Sequence, residues 1–308
     1  MRPMQSAKHN RHGFTLLETL VVIGVIGVLL GLLLPAIQMV RTSVTRVNCQ
    51  NRLKQISLAA LQYEQLHQGL PPGVNKNAND PFRNLTWMVY LLPFIEQEGA
   101  WQKAITDTIE IPVTHLAPPH AGLRTLIDTY TCPADGRLST LHRVTSTYMS
   151  GTLIAPGSYL GISGTGARSP RSNAGVFFVN SKTRMAEIID GTSFTLMVGE
   201  RPPSADFAYG WWYTISNGNQ GAGILPIPND AWGMDGNNPG FNCPKVSYPF
   251  RIGKLDEVCD TLHFWSFHSG GANFAFCDGS VRFIPYAASD KLPGLATKAG
   301  NESVSSLD

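Results

Sequence analysis

Charge is scarce in this chain. Of 308 residues only 15% are charged, 24 Lys and Arg against 22 Asp and Glu, for a net +2. A typical soluble protein carries roughly 25%. A near-neutral balance excludes a generic nucleic-acid binder, which needs many cationic contacts to phosphate. Acid is absent from residues 1–13, where Arg2, Lys8 and Arg11 lie with His9 and His12, so the slight basicity belongs to that stretch. No Gly-x4-Gly-Lys-Ser/Thr loop occurs, which argues against phosphate chemistry. No Gly-x-Ser-x-Gly occurs either; Gly161-Ile-Ser163-Gly164 falls short of a hydrolase elbow. There is no internal repeat at a solenoid period. Cysteine is limited to five, an odd number that leaves at least one thiol unpaired. The 30 Gly and 21 Pro stop well short of a collagen-like composition, and 43% hydrophobic residues are enough for a core.

What is present is one long apolar run. From Phe14 through Ile37 the only charge is Glu18. As a helix this stretch reaches about 36 Å, against roughly 30 Å of bilayer hydrocarbon, so it predicts a membrane span. The basic flank precedes it, which places residues 1–13 in the cytoplasm and the body outside. Leu34-Pro35-Ala36-Ile37-Gln38 is a poor signal-peptidase site, and the helical period continues. Ile37, Val40, Val44 and Val47 recur at helical spacing; Cys49, Leu53, Ile56, Ala60 and Tyr63 follow on a shifted stripe. One helix is therefore expected to near Leu66, with Pro35 as a kink point. Gly27-x-x-x-Gly31 permits close helix contact.

Glu18 is costly in lipid, by about 2.5 kcal/mol or more, and calls for a partner or a solvated position. Cleavage after Gly13 would supply a partner, the α-amine of Phe14 on a neighbouring subunit. Lys8 to Gly13 followed by Phe14-Thr-Leu-Leu-Glu18 resembles the leader of type IV pilins and type II secretion pseudopilins. That resemblance implies cleavage by a prepilin peptidase between Gly13 and Phe14, N-methylation of Phe14, and Glu18 as the assembly carboxylate.

Residues 67–85 and 202–245 read as loops, the latter with Trp211, Trp212 and Trp232. Residues 85–100 suggest a short helix broken at Pro93. Short strands are expected at 130–132, 147–149, 158–161, 175–179 and 195–198. Residues 273–284 predict a β-hairpin with a two-residue type I′ turn at Asp278-Gly279, pairing Phe276 with Val281 and Phe274 with Phe283.

His268, nine residues, then Asp278-Gly279 resembles the C-terminal motif of the pilin-like family known as domain of unknown function 1559. Cys49-Gln-Asn-Arg-Leu-Lys-Gln-Ile56, Cys132-Pro-Ala-Asp135 and Asp190-Gly-Thr-Ser-Phe-Thr-Leu-Met-Val-Gly-Glu-Arg201 resemble other segments of that family, with Arg52, Ala134 and Phe194 as departures. Cys49 and Cys132 fall in these motifs, so a bridge between helix and body is one candidate pairing. Cys243 and Cys259 could close a small loop and leave Cys277 free; five cysteines leave the connectivity open.

His263, His268 and Asp278 match no zinc spacing, and a structural role for His268 near the turn is the expectation. Asp190 reads as a turn cap with Gly191 at positive φ. Asp230, Asp235, Asn237 and Asn238 form an oxygen-rich loop that is not an EF-hand, which leaves calcium as an open candidate and otherwise no cofactor.

These features together predict an α+β, pilin-like, non-enzymatic protein. Residues 1–13 form a cytoplasmic leader, 14–37 the transmembrane half and 38–67 the amphipathic half of one helix, 68–290 a β-rich extracytoplasmic body with an antiparallel sheet, and 291–308 a flexible tail. The expected partners are prepilin peptidase, the membrane and other pilin-like subunits through the helix. The alternative is a membrane-anchored surface protein whose body binds carbohydrate or protein.

Overall fold

The computed structural model describes residues 16–110, 120–145, 150–167, 174–214, 223–230, 243–244 and 246–302. Two compact units divide at Val44/Thr45. The first contains the opening part of helix α1, which runs from Leu16 to His67 with Pro35 inside it. Every large hydrophobic side chain from Leu16 through Val47 is exposed. This helix is long and apolar enough to cross a membrane.

The second unit is built on the rest of α1. Here the shifted stripe decides what is buried. Cys49, Leu53, Ile56 and Ala60 are fully covered, whereas Ile37, Val40, Val44 and Val47 are exposed. Spacings of three and four put the buried set on one face, which lies against a five-stranded sheet. Its strands are β1 (Tyr159–Ile162), β2 (Leu196–Glu200), β3 (Ile224–Leu225), β4 (Gly271–Phe276) and β5 (Val281–Pro285), in the order β5-β4-β2-β1-β3. All neighbours are antiparallel except β1 and β3, so the sheet is mixed at one edge.

The sheet separates two apolar clusters. Tyr159, Val198 and Ala275 join the cluster that contains the α1 stripe. Leu160, Ile162, Leu196, Phe274 and Phe276 join the other, with Phe250 and Phe264. Leu196 and Val198, two apart in one strand, should share a face. A register shift between them in the β2–β4 pairing sends them to opposite sides.

Several expectations are corrected. Val281 pairs with Ala275 and Arg282 with Phe274, one residue out of the expected register. The loop has three residues, because Gly279 N–H bonds Phe276 O and Phe276 N–H bonds Ser280 O. A type I′ turn needs positive φ at both central residues; Gly279 has it (φ +79°) and Asp278 does not. Arg282 consequently shares a face with Phe274 and lies over the Phe276 ring. Residues 130–132 and 175–179 are not strands; the first begins on the last residue of a 3₁₀ turn at Asp128–Tyr130. The short helix expected before Pro93 is present at Trp87–Tyr90 and gives way to a 3₁₀ turn that contains Pro93, but an unexpected helix α2 follows at Glu98–Glu110. Its buried stripe is Ala100, Ala104 and Thr108, flanked by half-buried Trp101 and Ile105 at helical spacing, a period that was legible in the sequence. The strand expected at 147–149 lies outside the described residues apart from its flanks.

The chain end also differs. Leu292, Leu295 and Ala296 are buried in the second cluster, so residues 291–302 are not a loose tail. Asp190 holds them: its carboxylate accepts from Gly300 N at 2.7 Å and Asn301 N at 2.9 Å. It is an anchor for the chain end rather than a local turn cap, while Gly191 does take positive φ (+95°).

Candidate functional site

Four separate segments bring chemically capable side chains to one buried point beneath α1. Cys49 is the first buried residue of the helix. Cys132 follows the 3₁₀ turn at Asp128–Tyr130, which is tied to α1 by Arg52 Nη1 donating to Thr131 O (2.7 Å) and Oγ1 (2.8 Å). The two cysteines are disulfide-bonded. Cys132 N donates to Ser158 Oγ at 3.0 Å, and Tyr159 Oη donates to Cys49 O and Thr131 O.

Glu200 ends β2 and His268 precedes β4. His268 Nε2 lies 3.4 Å from Glu200 Oε1 and 3.6 Å from Cys132 Sγ. Glu200 is 1% exposed and His268 8%. A carboxylate buried this deeply needs hydrogen-bond donors. Asn273 supplies two, its N–H to Oε2 at 2.7 Å and its Nδ2 to Oε1 at 2.9 Å. Gln50 of α1 donates to Asn273 Oδ1 at 3.0 Å, linking helix, amide and carboxylate in a chain. The His268 loop is fixed by Ser266 Oγ, which accepts from His268 N and donates to Gly271 O. Burial, then the Glu200 charge, push the Tyr159 phenol well above its ordinary value, so it stays a neutral donor. A small hollow beside Cys132 and Glu200, also lined by Asp135, Ser158, Pro202, Ser266 and Phe267, has room for roughly one water.

The remaining sites lie around this point. Gly279 O accepts from Lys54 Nζ at 2.6 Å and Ser57 Oγ at 3.3 Å, which docks the hairpin loop onto α1. Asp278 accepts from Ser280 N within the loop and does not approach His268 through any described bond. Asp135 forms a two-pronged ion pair with Arg137 (2.8 and 2.6 Å), and Arg137 also bonds Pro203 O and Ser204 O. His263 belongs elsewhere, between Asp260 (2.9 Å) and Phe264 O (3.0 Å). Cys243 is bonded to Cys259, and Cys277 is the buried free cysteine. Trp211 and Trp212 are buried in the core and offer no exposed ring to a carbohydrate; Trp232, Asp235, Asn237 and Asn238 lie outside the described residues. Gly13 and Phe14 also lie outside them, and Glu18 is exposed in the first turn of α1.

Glu200 lies within the Asp190–Arg201 motif, and the sequence alone gives it no role. The available signal was an acid closing an otherwise apolar strand, Leu196-Met-Val-Gly-Glu200. Such a residue must be either solvated or paired, and the strand is buried throughout.

A protein-family model described as "Protein of unknown function (DUF1559)" matches residues 38–290. The chain belongs to the DUF1559 family. A second model, the prokaryotic N-terminal methylation motif, matches residues 8–34. This DUF1559 protein is therefore pilin-like and of the prepilin-processed kind, and the motif implies processing by a prepilin peptidase. No curated protein and no solved structure matches the chain. The segments that meet at the buried disulfide all fall inside the DUF1559 match.

Proposed function

We propose that this chain is a structural, non-enzymatic pseudopilin-like subunit that assembles through α1 into a type II secretion or type IV pilus-like filament. The observation that carries the proposal is the methylation-motif match running directly into a helix whose apolar side chains are exposed from Leu16 to Val47. Such a surface needs a cover. Before assembly the cover is lipid, with residues 1–13 cytoplasmic and the body outside; in the filament it is the helices of neighbouring subunits. Peptidase cleavage after Gly13 frees the Phe14 amine, which is then methylated. Glu18 of one subunit pairs with that amine on the next, which sets the register of otherwise non-directional apolar packing.

Mass spectrometry of the mature N-terminus should find methylated Phe14. A Glu18→Ala chain should be processed normally and give at least about tenfold less filament, because a charge pair coupled by about 1.5 kcal/mol is lost. A native protein that begins at Met1, or an undiminished filament yield from Glu18→Ala, would refute the proposal.

A further inference from the structure

We propose that Cys49, Cys132, His268 and Glu200 form a zinc site when the Cys49–Cys132 bond is reduced. One ligand atom from each residue lies within 4.8 Å of all the others, and all four residues are buried. Two thiolates, an imidazole and a carboxylate are a donor set suited to tetrahedral Zn²⁺. Bond lengths of about 2.0–2.3 Å in such a site put neighbouring donors roughly 3.3–3.8 Å apart. His268 Nε2 already stands 3.6 Å from Cys132 Sγ and 3.4 Å from Glu200 Oε1. Reduction lets the two sulfurs move apart to about 3.8 Å, and the remaining donor pairs, already within 4.8 Å, close by at most about 1.5 Å.

The surrounding bonds suit a metal centre. Asn273 holds both Glu200 oxygens, and Gln50 holds Asn273, the kind of outer support that orients metal ligands. The His268 loop is fixed through its own backbone by Ser266, so the ring nitrogen is presented without relying on the disulfide. The chain leaves the ribosome with both cysteines as thiols, so the site can form before the disulfide does. From the oxidised form, a dithiol reductant supplies two electrons and two protons. The S–S bond breaks, two thiols form, and the reductant closes to its own disulfide. Metal binding then releases the two thiol protons. The bonded pair and the metal-bound pair are alternative ways of fastening α1 to the body. The inference does not depend on filament assembly.

The test uses the full-length chain in detergent, reduced with dithiothreitol, desalted without oxygen and titrated with Co²⁺. The expected result is a thiolate-to-cobalt charge-transfer band that saturates at one Co²⁺ per chain and is displaced by Zn²⁺. The band should be absent from the oxidised chain and from Cys49→Ser/Cys132→Ser, and present in Cys243→Ser/Cys259→Ser. Asn273→Ala should weaken binding by about 10–100-fold. A reduced wild-type chain without a stoichiometric band overturns the proposal, as does a band that survives Cys49→Ser/Cys132→Ser. Unchanged affinity in both His268→Ala and Glu200→Gln also overturns it, since the two thiols alone would then account for the binding.

Discussion

The two disulfides enclose loops of very different length, and that difference sets a measurable asymmetry. Cys49 and Cys132 are 83 residues apart, Cys243 and Cys259 only 16. Closing a loop in the unfolded chain removes entropy that grows with the logarithm of its length. On that scale the first bond contributes about 4.5 kcal/mol and the second about 3 kcal/mol at 25 °C. Replacing either pair by alanine deletes the same atoms, so the difference of about 1.5 kcal/mol reports the loop term. In a body of this size each kcal/mol moves Tm by about 2–4 °C. The Cys49→Ala/Cys132→Ala chain should therefore melt about 3–6 °C below the Cys243→Ala/Cys259→Ala chain. Tryptophan fluorescence is a suitable probe, because Trp87, Trp211 and Trp212 are fully buried. Equal melting temperatures, or the reverse order, would refute the loop-length reasoning for this fold.

Three further outcomes are expected. Gly279→Ala forces a side chain into left-handed backbone (φ +79°) with its Cβ 3.1 Å from Leu61 Cδ1, so thermal denaturation should show a loss of about 1–2 kcal/mol or more; Gly270→Ala, also left-handed (φ +86°) but facing open space, should lose less. Burial works to raise the Asp260 pKa, but bonds from His263 and Lys254 and the Arg251 charge outweigh it and hold the group below its ordinary 3.8. The stability this contributes is complete above 3.8 and is lost as pH falls through the lower folded value, so Asp260→Asn should flatten the acid limb of a Tm-against-pH curve. Burial, then the Asp278 charge, push the Cys277 thiol far above its usual range, so iodoacetamide should leave the native oxidised chain unlabelled and add one label per chain after unfolding, counted by mass.

Legibility in the sequence followed how local each signal was. The apolar run and the methylation motif need only neighbours along the chain, and both are plain. The shift of stripe at Cys49 was visible as periodicity, but which stripe the body covers depends on the sheet it meets. The hairpin at 273–284 was legible as an element, yet its register turned on whether both Asp278 and Gly279 take positive φ or Gly279 alone does. Helix α2 was legible and overlooked: Ala100, Trp101, Ala104, Ile105 and Thr108 recur at helical spacing along Glu98–Glu110. At the buried site, Cys49, Cys132 and His268 each stand out in the sequence. Their meeting was not legible, because it depends on β2 and β4 pairing so that Glu200 reaches Asn273 across the sheet. Asp190 shows the same limit in reverse: its partners at 300 and 301 lie more than a hundred residues away.

The position of Cys49 has a mechanical consequence. Helix α1 enters the body at a covalent crosslink, ahead of Leu53, Ile56 and Ala60. Tension applied along the helix from its N-terminal side passes through sulfur into the segment at Cys132 and then the sheet, bypassing the apolar contacts that follow. Those contacts would slip one by one under load; with the crosslink intact they are shielded, and the helix cannot peel away from its body without breaking a covalent bond.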